Sequence, residues 1–300
     1  NVIISVKEKF NECVSNKYLS LFRIFAFALI AYEVGELKAG KYLSFLLVET
    51  DIRFPYEFFP IATKLSSTNL SLLVGVVLFS AALCSVGLLY KYAKWVFLLS
   101  FTFLFFQDKM LWNNHWYLFL LIGILAVVID LSSNYSVDTI IKPQNRKLGC
   151  PRWYYYLFTF QIGLVYFFGG IAKLNPDWVF ATEPIGTFLA QREDYFILGS
   201  LFQLSWAKYF FAYSGLMFDL SIWFLLSYRK TFKVAVVASI MFNLLNSVIF
   251  NIGTFPYFMI IANLLFAHIL LKPEAFRTAS KQAEVEKPVN KILKVFLVTY

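Results

Sequence analysis

The sequence predicts an all-α fold: a polytopic membrane helix bundle of about eight transmembrane helices with both termini cytoplasmic. Three observations predict it. The first is composition, with 59% of the 300 residues hydrophobic, 20% aromatic and only 15% charged. Soluble domains carry roughly 25% charged residues, and a mean hydropathy of +0.65 leaves too little polar surface to coat a water-exposed particle. A soluble enzyme, a nucleic-acid binder and a disordered chain are all disfavoured, so the expected partner is the lipid bilayer and not nucleic acid. The second observation is a series of apolar runs close to the ~20 residues that a spanning helix needs. The third is the placement of the basic residues, which give a net charge of +9 and alternate in density from one link to the next.

The runs lie at residues 18–34, 69–90, 93–107, 116–131, 153–172, 209–228, 234–250 and 255–271. The second and fifth are the clearest. The third and fourth are short, and the link between them, 108–115, is expected to sit partly below the membrane surface, where non-helical backbone needs protein or a wet cavity to satisfy it. Nineteen of the 27 Lys and Arg fall on the face with the chain ends, and eight on the other. Cytoplasmic loops carry such an excess, so the bias and the even number of spans agree. The links 35–68 and 173–208 read as interfacial or re-entrant structure, F-P-Y-E-F-F-P at 54–60 in particular.

Residues 1–272 read as one transmembrane catalytic domain, and 273–300 as a polar linker entering a further segment. The chain starts on Asn1 and stops within an apolar run at Tyr300, so a piece of a longer protein is expected. No signal peptide is expected, because Lys7, Glu8 and Lys9 interrupt the first stretch. Cys13, Cys84 and Cys150 are three, widely spaced and without C-x-x-C, which indicates neither a disulfide framework nor zinc.

Ionisable residues at membrane depth are costly and mark function by default. Three junctions on the non-cytoplasmic face gather them: D-K-M-L-W-N-N-H (108–115), G-G-I-A-K-L-N-P-D-W (169–178) and N-I-G-T-F-P-Y (251–257). Gln161, Asp219, Asn243 and Asn246 add polar groups within the spans. Lys173 follows a long uncharged stretch. As a helix-end lysine it either snorkels to the interface or stands as a desolvated amine able to act as a base. His115 is either an interfacial histidine bonded to Asn113 or Asn114, or part of a site. His268 reads as structural, and two distant histidines without a carboxylate partner predict no metal site. Asp219 is a helix-pairing group or a charge partner. Trp112, Trp116, Trp153, Tyr154, Tyr155 and Trp178 fall at span ends, and most of them read as belt residues. Few polar residues are expected in the cytoplasmic half, with Arg23 and Glu33 as the main exceptions.

Four runs carry a resemblance. F-F-Q-D-K-M-L-W-N-N-H-W-Y-L (105–118), N-Y-S-V-D (134–138), W-Y-Y-Y-L-F-T-F-Q-I-G-L-V-Y-F-F-G-G-I-A-K-L-N-P-D-W (153–178), and F-D-L-S (218–221) with N-S-V-I-F-N-I-G-T-F-P-Y (246–257) resemble, in order and spacing, the vitamin K-dependent gamma-carboxylase family. The match covers roughly 100–260 and points to a bacterial-type member of the horizontally transferred transmembrane group. The resemblance implies a peptidyl-glutamate 4-carboxylase of the carbon–carbon lyase class. Its cofactor is vitamin K hydroquinone, its co-substrates oxygen and carbon dioxide, and its products the epoxide and a carboxylated protein-bound glutamate. A Glu-containing protein or peptide is the implied partner, and the bacterial inner membrane the implied location, with the site facing away from the cytoplasm.

By resemblance, Lys173 matches the lysine that deprotonates the hydroquinone and His115 the histidine of the carboxylation step. Asp108, Lys109 and Asn114 match their neighbours, and Trp112, Asn113, Gln161, Tyr166, Asp219, Asn243 and Asn246 complete the set expected to bind the cofactor or orient substrate. Ala172 stands where animal members carry a second lysine, and Asn243 where a family histidine is expected. The family's β-rich substrate-binding region is absent, although the last fourteen residues resemble the connection leading into it. The alternative is a non-carboxylating relative, an epoxidase or a protein of peptide export or immunity; loss of Lys173 and His115 would mark it, and both are kept.

Overall fold

The computed structural model describes residues 8–57, 65–196, 198–250 and 252–271. The predicted linker at 273–300 therefore lies outside the described residues, as do part of the 54–60 run and Asn251 of the 251–257 run. The described chain is mostly helical. Its longer helices are α1 (Lys17–Ala39), α2 (Ser67–Val86), α3 (Tyr90–Phe105), α4 (Asn114–Val128), α5 (Trp153–Ala172), α6 (Ala207–Ser227), α7 (Phe232–Ile249) and α8 (Phe255–Phe266). Each overlaps one predicted run. Among the described residues, α1, α2, α5, α6 and α7 are long and apolar enough to cross a membrane.

The three shorter helices have identifiable ends. α4 cannot start earlier because Asn113 is extended and its Oδ1 accepts the Trp116 N–H at 2.7 Å, an N-cap. It stops at Ile129, again extended (φ −111°). At 1.5 Å per residue its 15 residues reach roughly 22 Å.

One element is absent from the all-α expectation. Cys13–Ser15 (β1) pairs antiparallel with Gly149–Pro151 (β2), Val14 opposite Cys150. This clasp joins the start of α1 to the start of α5 across more than a hundred residues. Arg152 Nη2 reinforces it with an ion pair to Glu12 at 2.7 Å. The strands are too short for any alternating pattern to announce them.

The core is aromatic. Phe22 lies edge-on to Phe158 and Phe258, Phe27 to Phe97, while Trp116 and Phe119 meet Phe101 and Phe258. Between helices in lipid, such close packing and not water exclusion supplies the attraction. Trp116 and Tyr155 are fully buried in it, so these two of the six span-end aromatics are core and not belt residues. They sit near helix ends, but on the inward face, where Tyr155 donates to the Ser15 carbonyl at 2.7 Å. Trp112, by contrast, is half exposed.

At the basic end of the bundle the chain buries Arg23 completely. Its Nη1 donates to the Cys84 and Ser85 carbonyls, Nη2 to that of Tyr135 and Nε to that of Leu131. These acceptors include carbonyls left over at the C-terminus of α2, where a cation also complements the helix dipole. The N-Y-S-V-D run belongs to this scaffold: Ser136 caps the short helix Val137–Ile141, and Asp138 accepts the Leu89 and Tyr90 N–H groups at the start of α3, both at 2.9 Å.

Candidate active site

At the opposite end of the bundle, two pairs of titratable groups form. The first joins α1 to α4. Glu33 Oε1 lies 3.0 Å from His115 Nε2, and Glu33 Oε2 accepts both the N–H (2.8 Å) and the hydroxyl (2.5 Å) of Thr254, just before α8. The carboxylate on α1 is thus tied to two other parts of the chain, the start of α4 and the turn before α8. Gly253 makes room for it. A Cβ there would lie 2.9 Å from Glu33 Oε1, and its φ of +59° suits glycine.

This overturns two expectations. Glu33 does not share one half of the spans with Arg23, because it lies ten residues further along α1, toward the end away from Lys17. His115 does not lack a carboxylate, nor does it bond Asn113 or Asn114. Its ring is held instead by a charged acceptor and by Phe119 and Phe255, at 5.9 and 6.2 Å between centroids. The position of Glu33, one residue before the end of the predicted first span, was the available signal. Thr254 and Gly253 stand within the 251–257 run but carried no charge to single them out.

The second pair joins α5 to α6. Lys173 closes α5 as its C-cap, and its Nζ donates to Asp219 Oδ2 and, at 3.3 Å, to the Gly169 carbonyl. The close approach depends on Gly170, where a Cβ would fall 2.6 Å from the Leu220 side chain, next to Asp219. The Trp178 ring lies 5.2 Å from Nζ and is itself anchored by its indole N–H on the Ala212 carbonyl. Lys173 is therefore a paired amine at the bundle's edge, with Asp219 as its charge partner. Phe168 and Ile171, on the same helix, face outward nearby.

The remaining predicted residues divide into four groups. Asp108 is buried and spends its carboxylate on the N–H groups of Met110 (2.8 Å) and Phe54 (3.1 Å). With the Asn113 cap, it shapes the turn that presents His115. Lys109 and Trp112 are outward, against Tyr56 and Tyr117 respectively, and Asn114 is exposed. A separate buried group contains Tyr166, whose hydroxyl is 3.3 Å from both Ser239 Oγ and Asn243 Nδ2. Ser239 also meets Asn263 Nδ2 at 3.1 Å, and neither Ser239 nor Asn263 stood out in the sequence because an isolated small polar residue in a span is common. Gln161 and Asn246 are partly buried, on α5 and α7. Among the described residues no hydrogen bond joins the His115 pair to the Lys173 pair.

Each pair sets a basic nitrogen within hydrogen-bonding reach of a carboxylate, the arrangement that general acid–base chemistry uses. The HTTM domain model matches residues 11–269, which takes in all eight longer helices. No solved structure matches the chain.

Proposed function

The chain belongs to the HTTM domain family, whose domain is found in vitamin K-dependent gamma-carboxylases, and from that premise we propose that it is an integral membrane peptidyl-glutamate 4-carboxylase coupled to vitamin K epoxidation. The single observation that carries the reading is the Lys173–Asp219 pair, set flush against the outward apolar surface of α5. A lipophilic hydroquinone reaches that amine from the bilayer without crossing water, and the residues present fit such a ring: a proton-exchanging pair, the Trp178 face and the apolar side chains of Phe168 and Ile171.

When bound, the hydroquinone supplies the oxidative driving force that no side chain has for removing a γ C–H proton. In its neutral form Lys173 would accept a hydroquinone hydroxyl proton, and the Asp219 carboxylate would hold the ammonium so formed. His115 serves the carboxylation step, held in one orientation by Glu33 as the orienting carboxylate does in a Ser-His-Asp triad. Asp108 and Asn113 fix the turn carrying it. Lys109, Trp112 and Asn114, exposed beside that turn, are placed to meet a Glu-containing peptide. Gln161, Tyr166, Asn243 and Asn246 line the neighbouring helices and orient the cofactor. Overall, hydroquinone, oxygen, carbon dioxide and the glutamyl C–H give epoxide, water and carboxylated glutamate, with one proton released.

In this reading all eight longer helices cross the membrane, both ends are cytoplasmic, the site opens away from the cytoplasm, and the membrane is the bacterial inner membrane. The test is incubation of the purified protein in lipid with the hydroquinone, labelled carbon dioxide and a Glu-containing peptide. Label on glutamate that disappears in Lys173→Ala supports the reading. Undiminished fixation in Lys173→Ala overturns the assignment of the base, and epoxide without fixation favours a non-carboxylating relative.

A further inference from the structure

His115 is held by one ring nitrogen only. Its Nε2 lies 3.0 Å from Glu33 Oε1, while Nδ1 has no hydrogen-bond partner among the described residues. Nδ1 is also open. The polar side-chain atoms that are both sealed and unpartnered are Arg53 Nε, Tyr56 OH, Gln107 Oε1, Trp116 Nε1 and Asn263 Oδ1, and His115 Nδ1 is not one of them. The side chain as a whole keeps 16% of its surface. Turning the ring by 180° would point a carbon at Glu33 and lose the bond, so the carboxylate fixes which nitrogen is left free.

The place of the ring proton follows from the other oxygen of the carboxylate. Glu33 Oε2 accepts two donors from Thr254, the N–H at 2.8 Å and the hydroxyl at 2.5 Å. An oxygen filled in this way carries no proton of its own, and a carboxylate only accepts. Oε1 therefore takes its donor from the ring. His115 is then the Nε2–H tautomer, and Nδ1 is a bare lone pair. His268, the other histidine of the chain, has the opposite arrangement. Its Nδ1 is 2.8 Å from the Leu265 carbonyl, which only accepts, so there the proton sits on Nδ1.

Resting on the carboxylase reading above, we propose that Nδ1 of His115, and not Nε2, meets the substrate, and that its partner is the glutamyl γ-carboxyl in its acid form. Thr254 is a positioning residue, acting through Glu33 to keep the lone pair on Nδ1. A lone pair needs a donor, and the acid O–H supplies one. One proton is then shared between the carboxyl oxygen and Nδ1, while the Nε2 proton stays on the bond to Glu33. Removing the γ C–H proton beside a bare carboxylate would place two negative charges on adjacent atoms, a large Coulomb cost in a water-poor site. With the shared proton in place, the same step leaves one.

The test is nitrogen-15 NMR of the full chain in lipid, labelled at histidine, where two side chains report. One Nε2–H ring and one Nδ1–H ring are expected, and His115→Ala should remove the first. Glu33→Gln is expected to invert the His115 tautomer, because the new amide donates to Nε2 while its oxygen still accepts from Thr254. Thr254→Val is expected to raise the Nδ1–H form of His115 about tenfold, the effect of one hydrogen bond to a charged group, and Thr254→Ser to restore the native spectrum. A Glu-containing peptide is expected to shift the Nδ1 signal far more than that of Nε2, and the same peptide with Ala for Glu to shift neither. An Nδ1–H ring at His115 in the native protein overturns the proposal, as does a Glu peptide that leaves Nδ1 unmoved. These two measurements need no variant of Glu33 or Thr254 to fold. A native tautomer in folded Thr254→Val removes Thr254 from its role. The expected spectra from a protein that fixes no carbon dioxide would overturn the carboxylase reading and leave the free nitrogen assigned.

Discussion

Arg23 and Glu33 are ten residues apart on one helix, and both are buried charges, yet they are satisfied in opposite ways. The hydrogen bonds of Arg23 go to backbone carbonyls, those of Cys84, Ser85, Leu131 and Tyr135. Neither a guanidinium nor a carbonyl changes protonation in the physiological range, so this end of the bundle is a fixed clamp. Glu33 meets a histidine and a threonine, and Asp219, across the same face, meets a lysine. There each buried charge has a partner that can gain or lose a proton. The difference teaches where chemistry is placed: one end of the bundle spends its buried charge on holding helices together, the other keeps it exchangeable.

The comparison breaks most visibly at Arg23. Arg23→Met leaves four carbonyls without their donor, at roughly 1–3 kcal/mol for each that stays buried and unpaired. The expected result is loss of monodisperse protein in detergent chromatography. Arg23→Lys is expected to rescue little, because one ammonium cannot reproduce the guanidinium's forked reach. Glu33→Gln should do the reverse, preserving the fold because the amide oxygen still accepts from Thr254, while lowering carboxylation by roughly 10²-fold. A variant equally inactive and unfolded would place Glu33 with the scaffold instead.

A smaller effect sharpens the same contrast. Gly253→Ala puts a Cβ against the Glu33 carboxylate at a left-handed backbone position, a strain of about 1–2 kcal/mol. A lowered thermal midpoint together with partial loss of carboxylation is expected, whereas Gly75→Ala, where the space is open, should change neither. Smallest of all is the reactivity of the clasp. Burial pushes the thiols of Cys13 and Cys150 up from their ordinary value. Less thiolate is then present at pH 8, so maleimide labelling of the folded protein should be slow at both and rise on unfolding; fast labelling in the folded state would mean the β1–β2 clasp is open.

Much of this was legible in the sequence because it rests on period and charge. Apolar runs of membrane length are visible residue by residue, and each of the eight coincides with a helix. Lys173 and Asp219 stood out as charges inside apolar tracts. What stayed hidden depends on which helix faces which. Glu33 and His115 are 82 residues apart, and no local pattern announces that α1 and α4 bring them together. Trp116 and Tyr155 look like belt residues because helix ends hold both belts and buried aromatics, and only packing separates the two. The three-residue clasp and the Ser239–Asn263 contact are likewise products of the tertiary fold.

The measurement that bears most directly on the account follows both products at once, epoxide and carboxylated glutamate, in His115→Ala and Lys173→Ala. If the two pairs divide the work as proposed, His115→Ala loses carboxylation while still forming epoxide, and Lys173→Ala loses both. Carboxylation that persists in His115→Ala, or epoxide formed at the native rate in Lys173→Ala, would contradict it.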